Sequence, residues 1–316
     1  MTHDLNRRAS RLVKRIIDSA GDLRIRVHEM PGGGRVIDCG VDAAGGLAAG
    51  LDLARVCMAG LGEVALVPGE IGGVPCPAVQ VTTDHPVAAC LWSQYAGWKI
   101  AVGEFFAMGS GPVRAAVASE ELFARLGYSE RPEACVGVLE GSNLPDEDVL
   151  RYVAEKSGVP AERVTLLIAR TASQAGNVQV VARSVETALH KLFELGFDVG
   201  RVENAYGIAP LPPVAKDDLA GVGRTNDAIL YGARVTLWVR GDDESLAEIG
   251  PRVPSSSSES HGRPFLELFA EANHDFYALD PHLFSPAEVT FQNLDTGRVQ
   301  RFGRIEPEIL RQSFGL

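Results

Sequence analysis

Arg183 and Glu186 stand three residues apart in a stretch, residues 171–187, that is otherwise rich in Ala, Val and small polar residues and carries few charges. On a helix that spacing puts both side chains on one face, so guanidinium and carboxylate can pair. With so little charge nearby, the pair would sit against protein or a ligand rather than in bulk water. A carboxylate held there can take a proton from water, and the guanidinium keeps it ionised and oriented. The same spacing also fits an ordinary solvated ion pair, which contributes little to stability.

A second set, Arg224, Thr225, Asn226 and Asp227, gathers a fork of donors, a hydroxyl, an amide and a carboxylate ahead of an apolar run. Such a mixture suits a heteroaromatic ring with alternating donors and acceptors. It equally suits a capping turn that opens the next element. Gly109-Ser110-Gly111-Pro112 with Arg114 offers backbone amides and a cation at a helix start, which reads either as an anion site or as a plain helix start. No G-x-x-x-x-G-K-[ST] loop, no strand-linked G-x-G-x-x-G and no G-x-S-x-G elbow is present. The histidines form no H-x-x-x-H pair and Cys76 opens no C-x-x-C, so no metal site is expected.

At 316 residues the chain exceeds what one hydrophobic core usually organises, and two domains are expected. A net charge of -11 without dense Lys/Arg stretches argues against nucleic acid or an anionic membrane and favours a small-molecule partner. No apolar run reaches the roughly 18 to 20 residues that cross a bilayer, and the polar opening M-T-H-D-L-N-R-R lacks the core of a secretory signal. The expected location is cytoplasmic. The five cysteines, odd in number and scattered among apolar residues, are expected to be reduced and mostly buried.

The elements that must position these groups follow from periodicity. The spacing predicts helices over residues 5–20, 43–60, 86–95 (with Cys90 and Trp92 inward), 112–126, 145–156 and 178–195, and a last helix after the serine-rich loop at 255–258. Strands are predicted at 63–67, 74–83, 99–108, 134–139, 164–168 and 233–239. Hairpins are predicted around Gly32 to Gly34 and around Asp295-Thr296-Gly297, and a proline-stiffened loop at Pro210, Pro212 and Pro213. This alternation predicts an α/β (α+β) fold of two lobes of mixed sheets flanked by helices, with a substrate cleft between them. The expected lobes are residues 1–130 and 131–240, with 241–316 returning to the first, on approximate boundaries that allow discontinuous domains.

Seven short stretches, in order, give the chain a resemblance along nearly its whole length: S-Q-Y-A-G-W from Ser93, F-A-M-G-S-G-P-V-R-A from Phe106, R-S-V-E from Arg183, Y-G-I-A-P-L-P-P from Tyr206, G-R-T-N-D-A-I-L-Y-G from Gly223, D-P-H-L-F-S-P-A from Asp280 and S-F-G from Ser313. It resembles the methenyltetrahydromethanopterin cyclohydrolases of archaeal and methylotroph one-carbon metabolism. The resemblance implies reversible hydrolysis of a cyclic methenyl cation to a formyl pterin without a metal or redox cofactor, in a homotrimer. It also implies that Glu186 is the acid/base residue and Arg183 its charge partner. By the same resemblance Arg224, Asn226 and Asp227 would touch the pterin, and Ser93, Gln94, Tyr95, Ser110 and Arg114 would line the pocket. The rival readings are a non-catalytic pterin- or nucleotide-binding protein and a cyclohydrolase acting on a folate-like ring.

Overall fold

The computed structural model describes residues 3–316. The chain forms two compact units, each drawn from two stretches: residues up to Gly62 with Ala88–Gln179, and Glu63–Val87 with Val180–Leu316.

The first unit is built on a six-stranded sheet in the order β1-β2-β8-β7-β6-β5. Its strands are β1 (Arg26–Glu29), β2 (Arg35–Gly40), β5 (Trp98–Val102), β6 (Phe105–Ser110), β7 (Cys135–Glu140) and β8 (Val164–Ala169). The central strands β2, β8 and β7 run parallel and are almost continuously apolar, because helices cover both faces of such a sheet. One face packs on α1 (Leu5–Asp18), α2 (Ala20–Leu23) and α3 (Leu47–Cys57), through Val13, Ile16, Leu53 and Val56 against Ile37, Val138 and Leu167. The other packs on α4 (Val113–Val117) and α6 (Glu147–Ser157), through Val113, Val149 and Val153 against Ile100, Leu139 and Leu166. Two further α-helices are α5 (Glu121–Leu126) and α7 (Gln174–Val181), the last two residues of α7 falling in the second unit. At the end of β2 the buried carboxylate of Asp38 accepts the backbone N–H groups of Gly40, Val41, Asp42 and Ala43, which ties down the loop leading to α3.

In the second unit the sheet order is β12-β11-β10-β9-β4-β3. The strands are β3 (Gly62–Ile71), β4 (Val74–Thr83), β9 (Val202–Pro210), β10 (Arg234–Val239), β11 (Glu288–Asn293) and β12 (Val299–Gly303), with β10 and β11 parallel and the remaining recorded pairs antiparallel. Along β9, β10 and β11 buried residues alternate with half-exposed ones, the mark of a sheet covered on one face. The helices are α8 (Ser184–Glu194), α9 (Asp218–Leu230), α10 (Asp243–Ile249), α11 (Phe265–Glu271) and α12 (Pro307–Phe314).

Several expectations need correcting. Both lobes are discontinuous, as the approximate boundaries allow, but residues 241–316 fall with 180–240 and not with the first lobe: they add β11 and β12 beside β10, while the β3–β4 hairpin pairs with β9 through β4. Strand pairing between remote segments decides this, and no local pattern announces it. The single strand at 99–108 is a two-residue hairpin, because Gly103 takes a positive φ and turns the chain between Val102 and Phe105. The helix over 112–126 is two short ones. Pro210, expected in the proline-stiffened loop, is the last residue of β9, and the long helix at 178–195 breaks after Val181. At the break Arg183 leaves the α basin (φ -91°, ψ 8°) and its N–H reaches Val180 O, three residues back, which tightens the end of α7. No helix among the described residues is long and apolar enough to cross a membrane.

Candidate active site

The break at Arg183 puts both candidate residues at a helix start. Arg183 becomes the N-cap residue of α8 and Glu186 falls in that helix's first turn, both buried at 7% and 4% exposure. Ser, Thr, Asp or Asn at an N-cap satisfies an orphan backbone N–H and is worth about 1 kcal/mol. Arg183 makes no such cap bond. The first turn of a helix also favours an ionised carboxylate, through the partial positive charge of its unpaired N–H groups. The far half of α8 is fastened by Lys191, 1% exposed, whose Nζ donates to His282 O at 2.5 Å and Ser257 Oγ at 3.2 Å. Burial pushes the Lys191 amine down to about 8, with Asp280 nearby opposing that shift. Asp280 in turn accepts the Ser258 hydroxyl and the His282 N–H, so the D-P-H-L-F-S-P-A stretch serves as an anchor for α8.

The set at 224–227 lies inside α9 and not at a capping turn. Arg224 donates to Ser313 O at 3.2 Å and to Pro213 O at 3.1 Å. Thr225 bonds back to Gly221 O and Asn226 to Val222 O, one turn earlier on the same helix. Asp227 is fully buried; its carboxylate accepts the Phe265 N–H at 2.8 Å and the Ser313 hydroxyl at 2.6 Å. Burial pushes its carboxyl up to about 7 while the two hydrogen bonds pull the other way. The recorded bonds of Arg224 and Asp227 therefore tie α9 to the end of α12, the start of α11 and the proline loop.

In the first unit Ser93, Gln94, Tyr95, Ser110 and Arg114 come together. The segment expected as an α-helix at 86–95 is a π-helix, Val87–Gln94, and Tyr95 N–H continues its pattern by reaching Cys90 O five residues back. Cys90 is buried as expected, whereas Trp92 is only half-buried, stacked on Tyr128 at 4.0 Å. Arg114, fully buried, closes the π-helix by donating to Leu91 O and Ser93 O and is paired with Glu120. Its guanidinium also lies 4.9 Å from the centre of the half-buried Tyr95 ring. Ser93 Oγ donates to Cys57 O at 2.6 Å and Ser110 Oγ to Val138 O at 2.9 Å. The cation expected at an anion site is thus committed to Glu120 and to carbonyls, and α4 is a five-residue helix.

The contacts of Glu120, Ser313 and Lys191 were not legible in the sequence. Their partners lie 6, 86 and 91 residues away, and only for Glu120 was there a nearby signal, the acidic pair following Arg114. Among the described residues no three His, Cys, Asp or Glu side chains gather as a metal-binding group.

A buried carboxylate in the first turn of a helix, with an arginine at the cap, is chemically able to exchange a proton with water on this α/β scaffold. The chain belongs to the Cyclohydrolase (MCH) family, whose model matches residues 4–314. It is 47% identical to the methenyltetrahydromethanopterin cyclohydrolase of Rhodopirellula baltica, over 99% of this chain and 95% of that protein. Its identity to the enzymes of the same name is 42% in Methanosarcina barkeri, over 99% and 98% of the two chains, and 44% in Methylobacillus flagellatus, over 98% and 95%.

Proposed function

We propose that this protein catalyses the reversible hydrolysis of 5,10-methenyl-tetrahydromethanopterin to the 5-formyl derivative in one-carbon metabolism. The observation that supports this reading within the chain is Glu186, buried in the first turn of α8 directly after its Arg183 cap. The methenyl bridge is an amidinium-like cation, so its carbon is electrophilic without activation and needs water, a base and a proton for the departing nitrogen. Glu186 takes a proton from water as the oxygen bonds to the methenyl carbon. The bond from that carbon to N10 then breaks and N10 receives a proton from Glu186. The second proton of the former water leaves as the formyl oxygen forms, so cation plus water gives neutral product plus one proton.

Arg183 stands beside a cationic substrate in this scheme, which makes it a partner for the carboxylate rather than for the reacting carbon. No metal or redox cofactor enters the proposed reaction, since no step needs a Lewis acid or an electron carrier. The proposed assembly is a homotrimer in the cytoplasm, a compartment in which the five cysteines, which form no disulfide, stay reduced. Absorbance tests the activity: the methenyl chromophore should disappear on adding enzyme. Binding without its loss would leave a pterin-binding protein, and equal turnover of the folate form would widen the substrate class.

A further inference from the structure

The helix that carries Glu186 rests on a residue with no side chain. Gly207 sits in β9 in register with Val81 of β4 on one side and Val235 of β10 on the other. Glycine in a strand interior is unfavourable by roughly 0.5–1 kcal/mol relative to alanine, and Gly207 has no positive φ that would require it. The reason is space. A β-carbon at Gly207 would lie 2.8 Å from Val185 Cγ2 and closer still to Ser184 Oγ. Alternation along the strand puts Ala205 and Ala209 on the same face, so the sheet offers only small residues there. Ser184 Oγ is itself buried without a hydrogen bond. Two locally unfavourable features therefore coincide where α8 meets β9, within three residues of Glu186.

We infer that Gly207 is a positioning residue: its bare backbone seats the first turn of α8 on β9 and thereby fixes where the Glu186 carboxylate stands. This rests on the acid–base role proposed for Glu186. A methyl group at 207 needs about 3.5–4.0 Å from its neighbours, so the helix end must lift by about 1 Å. A displacement of that size can reduce turnover about 100-fold while leaving remote binding contacts intact.

The test is a set of variants assayed by loss of the methenyl chromophore, with thermal melts beside each. Gly207→Ala should lower kcat about 10- to 100-fold with KM within about threefold. Adding Ser184→Ala to it removes the closest clash and should recover much of that loss. Val289→Ala, on the same sheet face two strands away, should lower Tm and leave kcat alone. On a Glu186→Gln background, Gly207→Ala should change kcat less than about threefold, because the group it positions is already disabled. If Glu186→Gln is crippled but Gly207→Ala multiplies the loss independently, only this inference falls. If Glu186→Gln turns over almost normally, the acid–base reading falls and this one with it. An equal kcat loss in Val289→Ala, no recovery with Ser184→Ala, or a rise confined to KM would also overturn it.

Discussion

Asp227→Asn should change how the stability of the second unit depends on pH. Burial holds the Asp227 carboxyl at about 7 against an ordinary value of 3.8, so between those pH values the folded chain keeps a proton that the unfolded chain has lost. Stability then falls as pH rises through that window and levels off above it. Moving from 3.8 to about 7 at 1.36 kcal/mol per pH unit amounts to roughly 4 kcal/mol. Asparagine carries no such dependence, and its geometry still serves: the amide oxygen can accept the Phe265 N–H and the amide nitrogen can donate to Ser313 Oγ. The two proteins should be closest in stability near pH 4 to 5, and the variant should lead by several kcal/mol at pH 8. Urea titrations at four pH values between 4.5 and 8 measure the difference, with Trp238 in β10 as a fluorophore within the second unit. Curves that stay parallel within about 1 kcal/mol across that range would show that Asp227 titrates as an ordinary exposed carboxylate, and the burial argument would fail.

Glu186→Gln should lose kcat by orders of magnitude while still binding substrate, measured by turnover alongside equilibrium titration. Arg183→Ala should displace the acid limb of the kcat profile to higher pH, because the carboxylate loses the charge that favours its ionised form; an unchanged profile would remove that role. Arg114→Ala strips the π-helix of its closing donor and leaves Glu120 without its ion-pair partner, an expected loss of about 3–5 kcal/mol by chemical denaturation. Glu120→Gln should cost less, since an amide can still accept from the guanidinium. Lys191→Met should abolish a gain of stability that the parent shows as pH rises from about 8 toward 10.5, where the buried amine is neutral when folded and still charged when unfolded.

Much of the local structure was legible because its causes are local. Cys135–Glu140 and Val164–Ala169 read as strands from short apolar runs, and Leu5–Asp18 as a helix from its amphipathic period. Arg183 and Glu186 stand out as the charges of an otherwise uncharged stretch, which also makes their burial intelligible. The strand β9 was not legible, because prolines from Pro210 onward signal a loop, while A-Y-G-I-A before them carries small residues at every second place, which lets a helix pack closely. The polar types at 224–227 were visible, but their partners, Ser313 and Phe265, lie 89 and 38 residues away.

From its order of residues alone, this protein is an acidic α/β chain with one sparsely charged segment holding an arginine and a glutamate three places apart. Periodicity, turn chemistry and charge spacing act over a few residues, so the linear text contains them in full. The folded structure alone decided that the β3–β4 hairpin joins the later part of the chain, that Arg224 and Asp227 grip Ser313, and that Arg183 ends one helix and opens the next. Those outcomes depend on strand pairing and packing between segments tens of residues apart, where the balance of burial and loop closure is settled by the whole fold.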